Sequence, residues 1–188
     1  KDMIKAAKES GADCVKFQSW QPSSIASETE YENNTNYTDS KKKHFGSLRE
    51  MVEKYYLTFD QHFELKNYCD EISIDFASSP FTNEEVDLLI DLNVPFIKIA
   101  SMDIVYEPLL KKAARTGKPV IISTGMATLA EIDKAINVLK KESCDEIALL
   151  HCISIYPPKN EDIRLLNIKM LADTFDLPVG LSDHSFGA

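Results

Sequence analysis

A chain of 188 residues with 44% apolar content can bury a sizeable core, and its length is that of one domain. Its 30 acidic and 21 basic residues leave a formal net charge of −9, which excludes a general electrostatic grip on nucleic acid or an anionic membrane. An anion must therefore be held by a few local cations, hydroxyls or backbone amides.

The chain opens on a helical pattern, "KDMIKAAKES", that lacks the apolar core of a signal peptide. No apolar run approaches the roughly 18 residues of a membrane span, so a cytoplasmic protein is expected. Cys14, Cys69, Cys144 and Cys152 form no CxxC pair, in keeping with reduced thiols. The first strand visible in the chain reads "DCVKFQ". Residues 20–46 then run polar and rich in Ser, Asn and Thr, which predicts a long loop after the strand, with a capping role at the mouth of a site. "KKK" at 41–43 reads as a solvated helix start.

From residue 58 onward, helical segments alternate with short apolar runs, the pattern of βα units and a parallel sheet. Thr58-x-x-Gln61, Thr82-x-x-Glu85 and Thr128-x-x-Glu131 each match a capping box at a helix start. Behind the last two, Val86, Leu89 and Ile90, then Ile132, Ala135, Ile136 and Leu139, fall on one helical face. The strands between are "IDFASS", "FIKIAS", "PVIIST", "IALLHC" and "PVGLSD".

Side chains alternate across a strand, so Ile97 and Ile99 share one face and Lys98 and Ala100 the other. The split recurs: Val15 and Phe17 against Lys16 and Gln18, Ile74 and Phe76 against Ala77 and Ser79, Val120 and Ile122 against Ser123, Val179 and Leu181 against Gly180, Ser182 and His184. A doubly wound sheet is apolar on both faces, whereas a (β/α)8 TIM barrel turns polar inside at its catalytic mouth. The barrel is the expected fold. A complete one needs about 250 residues, so residues 1–188 are expected to be a single partial barrel domain, lacking the first strand and the last strand and helices.

Lys98 then points inward near the mouth, as does Lys16, with Gln18 beyond it. Two such lysines repel unless an anion lies between them, or unless each pairs with a carboxylate such as Asp75 or Asp103. Ser79, Ser101, Ser123 and Thr124 collect at strand ends, and with the amides of "STGMAT" they predict a cradle for a phosphate or carboxylate. His44 and His62 are expected on the surface. His184 faces inward after the last strand and is a candidate metal ligand or general acid. His151 and Cys152 are strand neighbours, which point to opposite faces and cannot form a nucleophilic pair. Tyr156, before two prolines, either lines the pocket or plugs the top of the barrel.

"GADCVKFQSW", "VPFIKIASMD", "GKPVIISTGMATLAEI", "LLHCISIYPP" and "LPVGLSDHSFG" together resemble the sialic acid synthase family, almost from end to end. The resemblance implies condensation of phosphoenolpyruvate with an N-acetylated amino sugar, such as N-acetylmannosamine, to a nonulosonic acid with release of phosphate. It implies a divalent metal, Mn2+ or Mg2+, bound in part by His184, and no Schiff base. Lys16, Lys98, Ser101, Ser123 and Ser79 become the phosphoenolpyruvate cradle, and Gln18 and Tyr156 pocket residues. Ser154 stands where some members carry Asn, and Asp103 where many carry Glu. The family's early Glu motif, second metal-binding His and C-terminal antifreeze-like domain are absent from these 188 residues, so this chain alone is expected to be inactive. Members resemble domain-swapped dimers, which implies a homodimer for the full-length protein. A Schiff-base aldolase using Lys98 as nucleophile, and a non-catalytic sugar-phosphate binder, are the rival readings.

Overall fold

The computed structural model describes residues 1–35 and 46–186. Its strands coincide with the apolar runs of the sequence: β1 (Cys14–Gln18), β2 (Asp75–Ser79), β3 (Ile97–Ile99), β4 (Val120–Ser123), β5 (Ile147–Cys152) and β6 (Val179–Ser182). β1 and β2 form a two-stranded sheet, and β3 to β6 a four-stranded sheet in chain order. Every pair in the larger sheet is parallel. The chain divides into two compact units, Lys1–Phe76 and Ala77–Ala188, with the division inside β2.

The first unit contains α1 (Asp2–Glu9), β1, α2 (Pro22–Ile25), α3 (Glu28–Asn33), α4 (Leu48–Tyr55) and α5 (Phe59–Glu71). α5 starts at the predicted box: the Thr58 side chain accepts from the Gln61 N–H, and Gln61 Oε1 accepts from the Thr58 N–H at 2.8 Å. Ser47 and Glu50 cap α4 in the same way. The predicted loop after β1 is partly helical instead. Gln21 and Ser24 close a capping box over α2, Pro22 stands in its first turn, and Ser27 Oγ accepts from the Glu30 N–H at the start of α3. Tyr31 is buried, with its hydroxyl donating to the Pro22 carbonyl at 2.6 Å, which ties the two helices together. "KKK" at 41–43 and His44 lie outside the described residues.

His62 is not on the surface. It is fully buried, one heptad before the buried Cys69, so helical periodicity carries both to the inner face of α5. Its Nδ1 lies 2.8 Å from the Thr58 carbonyl, and its ring meets the edge of Phe76, on which Phe17 stacks at 5.2 Å.

In the second unit a helix follows each of β2 to β5: α6 (Asn83–Asp91) after β2, α7 (Glu107–Ala114) after β3, α8 (Leu129–Lys141) after β4 and α9 (Leu166–Phe175) after β5. The boxes at Thr82 and Thr128 both form. Ile97, Ile99, Val120, Ile122, Ile147 and Leu149 of the sheet are buried, as are Val86, Leu89, Ile132, Ala135, Ile136 and Leu139 of the helices. Each such aliphatic side chain contributes about 1.5–3 kcal/mol of hydrophobic stabilisation. Two positions depart from the pattern. Ile90 is exposed, and Leu88 is buried in its stead; Leu181 is 39% exposed because β6 is the last strand of its sheet. Among the described residues, no helix is long and apolar enough to cross a membrane.

Candidate active site

Parallel register sets the site. Ile97, Lys98 and Ile99 pair with Val120, Ile121 and Ile122, so β3 and β4 end side by side, and Ser123 pairs with Leu150 of β5. Lys98 sits in the middle of β3 with both neighbours fully buried and is itself only 6% exposed. Its Nζ donates to Ser123 Oγ at 2.6 Å and to the Ile99 carbonyl at 2.7 Å. Desolvating an ammonium costs several kcal/mol, and these contacts return part of it while aiming the charge at the end of the sheet.

Beyond β3 the chain turns through a 3-10 segment, Ser101–Asp103, which delivers Ser101 to the loop after β4. There Ser101 Oγ accepts from the Gly125 N–H at 3.1 Å. The loop is pinned to β5 by Thr124, whose N–H and Oγ1 both donate to the Leu150 carbonyl, at 3.0 and 3.1 Å. Ser154 Oγ closes on the same glycine from the end of β5. A Cβ at Gly125 would lie 2.9 Å from Ser101 Oγ, 3.3 Å from the Cys152 carbonyl and closer still to Ser154 Oγ, so only glycine admits both serines. Lys98, Ser101, Ser123 and Ser154 are thus gathered at the ends of three consecutive strands. Ser79 is buried at the end of β2, without a hydrogen bond to this cluster.

Asp103, on the same turn as Ser101, has a buried Oδ2 without a hydrogen-bond partner. Burial first, and then the charge of Glu85, push its carboxyl up to about 6. Glu85 is 1% exposed at the start of α6, where its Oε2 accepts from the Phe81 N–H at 2.6 Å.

The end of β6 meets the end of β5 through His184. Its Nδ1 lies 3.1 Å from the Ile153 carbonyl, which can only accept, so Nδ1 carries a proton and the lone pair of the neutral ring is on Nε2. Tyr156 lays its ring against the imidazole at a centroid distance of 4.3 Å. Being 68% exposed, Tyr156 lines the surface over His184 and plugs no core. Desolvation, and then Cys152, raise its phenol above the ordinary tyrosine range. The separation of His151 from Cys152 is as expected: His151 Nε2 donates to the Ile163 carbonyl at 2.6 Å. The histidine beside Cys152 is His184, whose Nδ1 is 3.9 Å from Sγ. Among the described residues no group of three or more His, Cys, Asp or Glu side chains is placed to hold a metal ion.

In the first unit, Lys16 and Gln18 occupy the exposed side of β1, with Gln18 Oε1 accepting from Trp20 Nε1 at 3.0 Å. Lys16 has an exposed residue's accessible surface, although desolvation by the protein around it pushes its ammonium below the usual lysine range. Asp75 is exposed as well. Gly125 and Glu85 carry more than their sequence contexts, a run of loop amides and a helix cap, indicate. A glycine between two strand-end hydroxyl positions was the available signal for the first, and a capping-box carboxylate followed by an apolar helix for the second.

Parallel βα units with a buried lysine, serine hydroxyls and a histidine at their carboxyl-terminal ends define an α/β protein with a polar site at the strand ends, where such folds place their chemistry. The chain belongs to the NeuB family, which it matches over residues 3–188. An uncharacterized protein of Methanocaldococcus jannaschii is 43% identical over all of this chain and 51% of its own length. A pseudaminic acid synthase of Helicobacter pylori is 38% identical over all of this chain and 55% of its own. The crystal structure of an N-acetylneuraminic acid synthetase from Leptospira borgpetersenii superposes with a TM-score of 0.83 at 31% identity, covering 99% of this chain and 59% of the other. The resemblance to sialic acid synthases read from the five motifs therefore holds. The chain spans about half the length of the curated relatives it matches.

Proposed function

We propose that the full-length protein condenses phosphoenolpyruvate with an N-acetylated amino sugar to form a nonulosonic acid, releasing phosphate, on a closed (β/α)8 barrel. The observation that carries this reading is the buried Lys98 ammonium, hydrogen-bonded to Ser123 Oγ beside the Ser101 and Ser154 hydroxyls. A buried cation bonded to one hydroxyl, with two more hydroxyls converging on Gly125 in the loop after the same strand, suits a multiply charged oxyanion. Lys98, Ser101, Ser123 and Ser154 hold the phosphate, with Ser79 completing the cradle. Asp103 and Tyr156 line the sugar pocket.

In the reaction, C3 of the enol bonds to the aldehyde carbon of the sugar, leaving an oxocarbenium carbon at C2. Water adds there, and the C2–O bond to phosphate breaks, giving the 2-keto acid. The Lys98 charge stabilises the departing phosphate, which gains negative charge as that bond breaks. His184 Nε2, oriented by the Nδ1 hydrogen bond to Ile153, supplies one ligand to a divalent metal, Mn2+ or Mg2+. When bound, such a metal polarises the sugar carbonyl as a Lewis acid. A cytoplasmic homodimer is part of the same proposal.

The test is phosphate release by the full-length protein from phosphoenolpyruvate, with Mn2+ and a panel of N-acetylated hexosamines, beside Lys98→Ala. Release that needs both sugar and metal and is lost in the variant supports the reading. Release of phosphate without any sugar, or none with any sugar, refutes it.

A further inference from the structure

The loop after β4 carries its backbone strain at an unexpected residue. In the turn formed by residues 124–127 the Ala127 N–H donates to the Thr124 carbonyl at 3.2 Å, and the third residue, Met126, has a φ of 64°. That position ordinarily takes glycine or asparagine, because a side chain in the left-handed region crowds the following carbonyl. A glycine is at hand one residue earlier, yet its φ lies outside that region. Gly125 stands where it does because Ser101 Oγ and Ser154 Oγ leave no room for a Cβ. Met126 is 76% exposed, so burial returns little of what its backbone costs. Strain of this kind collects at functional sites.

The neighbours of Met126 point to a use for its side chain. Ser101 Oγ and Ser154 Oγ both close on Gly125, so three loops meet at that glycine. The residue after each meeting point is apolar and exposed: Met102 after Ser101, Met126 after Gly125 and Ile155 after Ser154. Two thioethers and an isoleucine, uncharged and adaptable in shape, therefore border the hydroxyls of the cradle. A phosphate gains nothing from such a border. The acceptor sugar of the reading proposed above, on which this inference rests, carries a group that does gain, the methyl of its N-acetyl. We infer that Met126 is a specificity-determining residue that contacts the acyl methyl of the acceptor sugar, with Met102 and Ile155 completing an apolar seat for it.

An apolar seat rewards a methyl and gives nothing to the hydrogen of a formyl group, so the acyl group of the acceptor is read separately from the phosphate. One methyl in a hydrophobic pocket is worth roughly 10- to 200-fold in kcat/KM. A seat whose residues are exposed to water belongs at the lower end of that range.

The experiment is phosphate release from phosphoenolpyruvate by the full-length protein with Mn2+ and N-acetylmannosamine, or whichever acetamido sugar of the panel works best, beside the N-formyl analogue that lacks only the methyl. Wild type is expected to prefer the acetyl sugar roughly tenfold in kcat/KM. Met126→Gly, relieved of the left-handed crowding, is expected to melt no lower than wild type, to keep the KM for phosphoenolpyruvate, and to prefer the acetyl sugar by about threefold or less. Met126→Asn, which tolerates the same turn but is polar, is expected to lose the preference as well, and Met126→Leu to keep it. A preference near one in wild type, or one that the glycine and asparagine variants leave unchanged, overturns the contact and leaves the proposed function intact. A loss that strikes both sugars equally, with a raised KM for phosphoenolpyruvate, overturns it too, since it marks a disturbed cradle. No release with any acetamido sugar overturns the reading on which the inference rests.

Discussion

Replacing Lys98 by methionine in the full-length protein separates a binding role from a structural one. The side chain is nearly buried, so its ammonium bears a desolvation cost of several kcal/mol. Its hydrogen bonds to Ser123 Oγ and the Ile99 carbonyl each return about 1.5–3 kcal/mol, the range for bonds made by a charged group. The two sides oppose each other, and methionine fills similar volume, so the stability change is expected to stay within about 2 kcal/mol in either direction. Binding is different. Removing one partner of a desolvated charge pair costs about 2–5 kcal/mol. At 1.4 kcal/mol per factor of ten, phosphoenolpyruvate affinity falls by roughly 30-fold to several-thousand-fold. Guanidinium unfolding followed by circular dichroism measures the first quantity, and titration calorimetry the second. A variant destabilised by more than about 3 kcal/mol, or one whose affinity falls less than about threefold, refutes the assignment of Lys98 to the ligand.

Asp103→Asn tests the buried acid. A carboxyl raised from 3.8 to about 6 by folding loses stability as pH rises from its unfolded value through the folded one, and the loss is complete above about 6. The asparagine variant should therefore gain stability over wild type above about pH 6, by about 1 kcal/mol after allowing for partial exposure, and gain nothing near pH 4; urea melts at the two pH values check it. Tyr156→Ala removes the ring that packs on His184, and Mn2+ affinity read by electron paramagnetic resonance is expected to fall about tenfold, as for other groups that orient a metal-binding histidine. Thr128→Ala breaks the box at the start of α8 and should cost about 1 kcal/mol in the same unfolding assay, with phosphoenolpyruvate binding unchanged. If Lys98 serves as the anion ligand proposed above, borohydride with pyruvate should leave no adduct on it by mass spectrometry; a trapped imine would move the function to an aldolase.

The strands and the capped helices were readable because their signals are local. A Thr with Gln or Glu three residues on satisfies amides within one turn, and an aliphatic run needs no distant partner to become a strand. Ser47 and Glu50 carried the same signal for α4. Lys98, Ser101 and Ser123 could be placed at one end of the sheet because parallel strands bring equivalent positions level. What escaped was set by tertiary contact. His62 is drawn inward beside Phe76 and Phe17, and composition alone places a histidine outside. The polar run after β1 contains helices because Tyr31 finds burial and a carbonyl at Pro22, which a count of apolar residues does not register. The closeness of Gly125 to two serines likewise depends on three separate strand ends meeting.

The decisive measurement is the mass of the product formed when the full-length protein is given phosphoenolpyruvate, Mn2+ and an N-acetylated amino sugar. A nonulosonic acid is predicted, equal in mass to the sugar and phosphoenolpyruvate plus water minus phosphoric acid, and absent with Lys98→Met. Phosphoenolpyruvate converted only to pyruvate, with the sugar unchanged, would contradict carbon–carbon bond formation at this site.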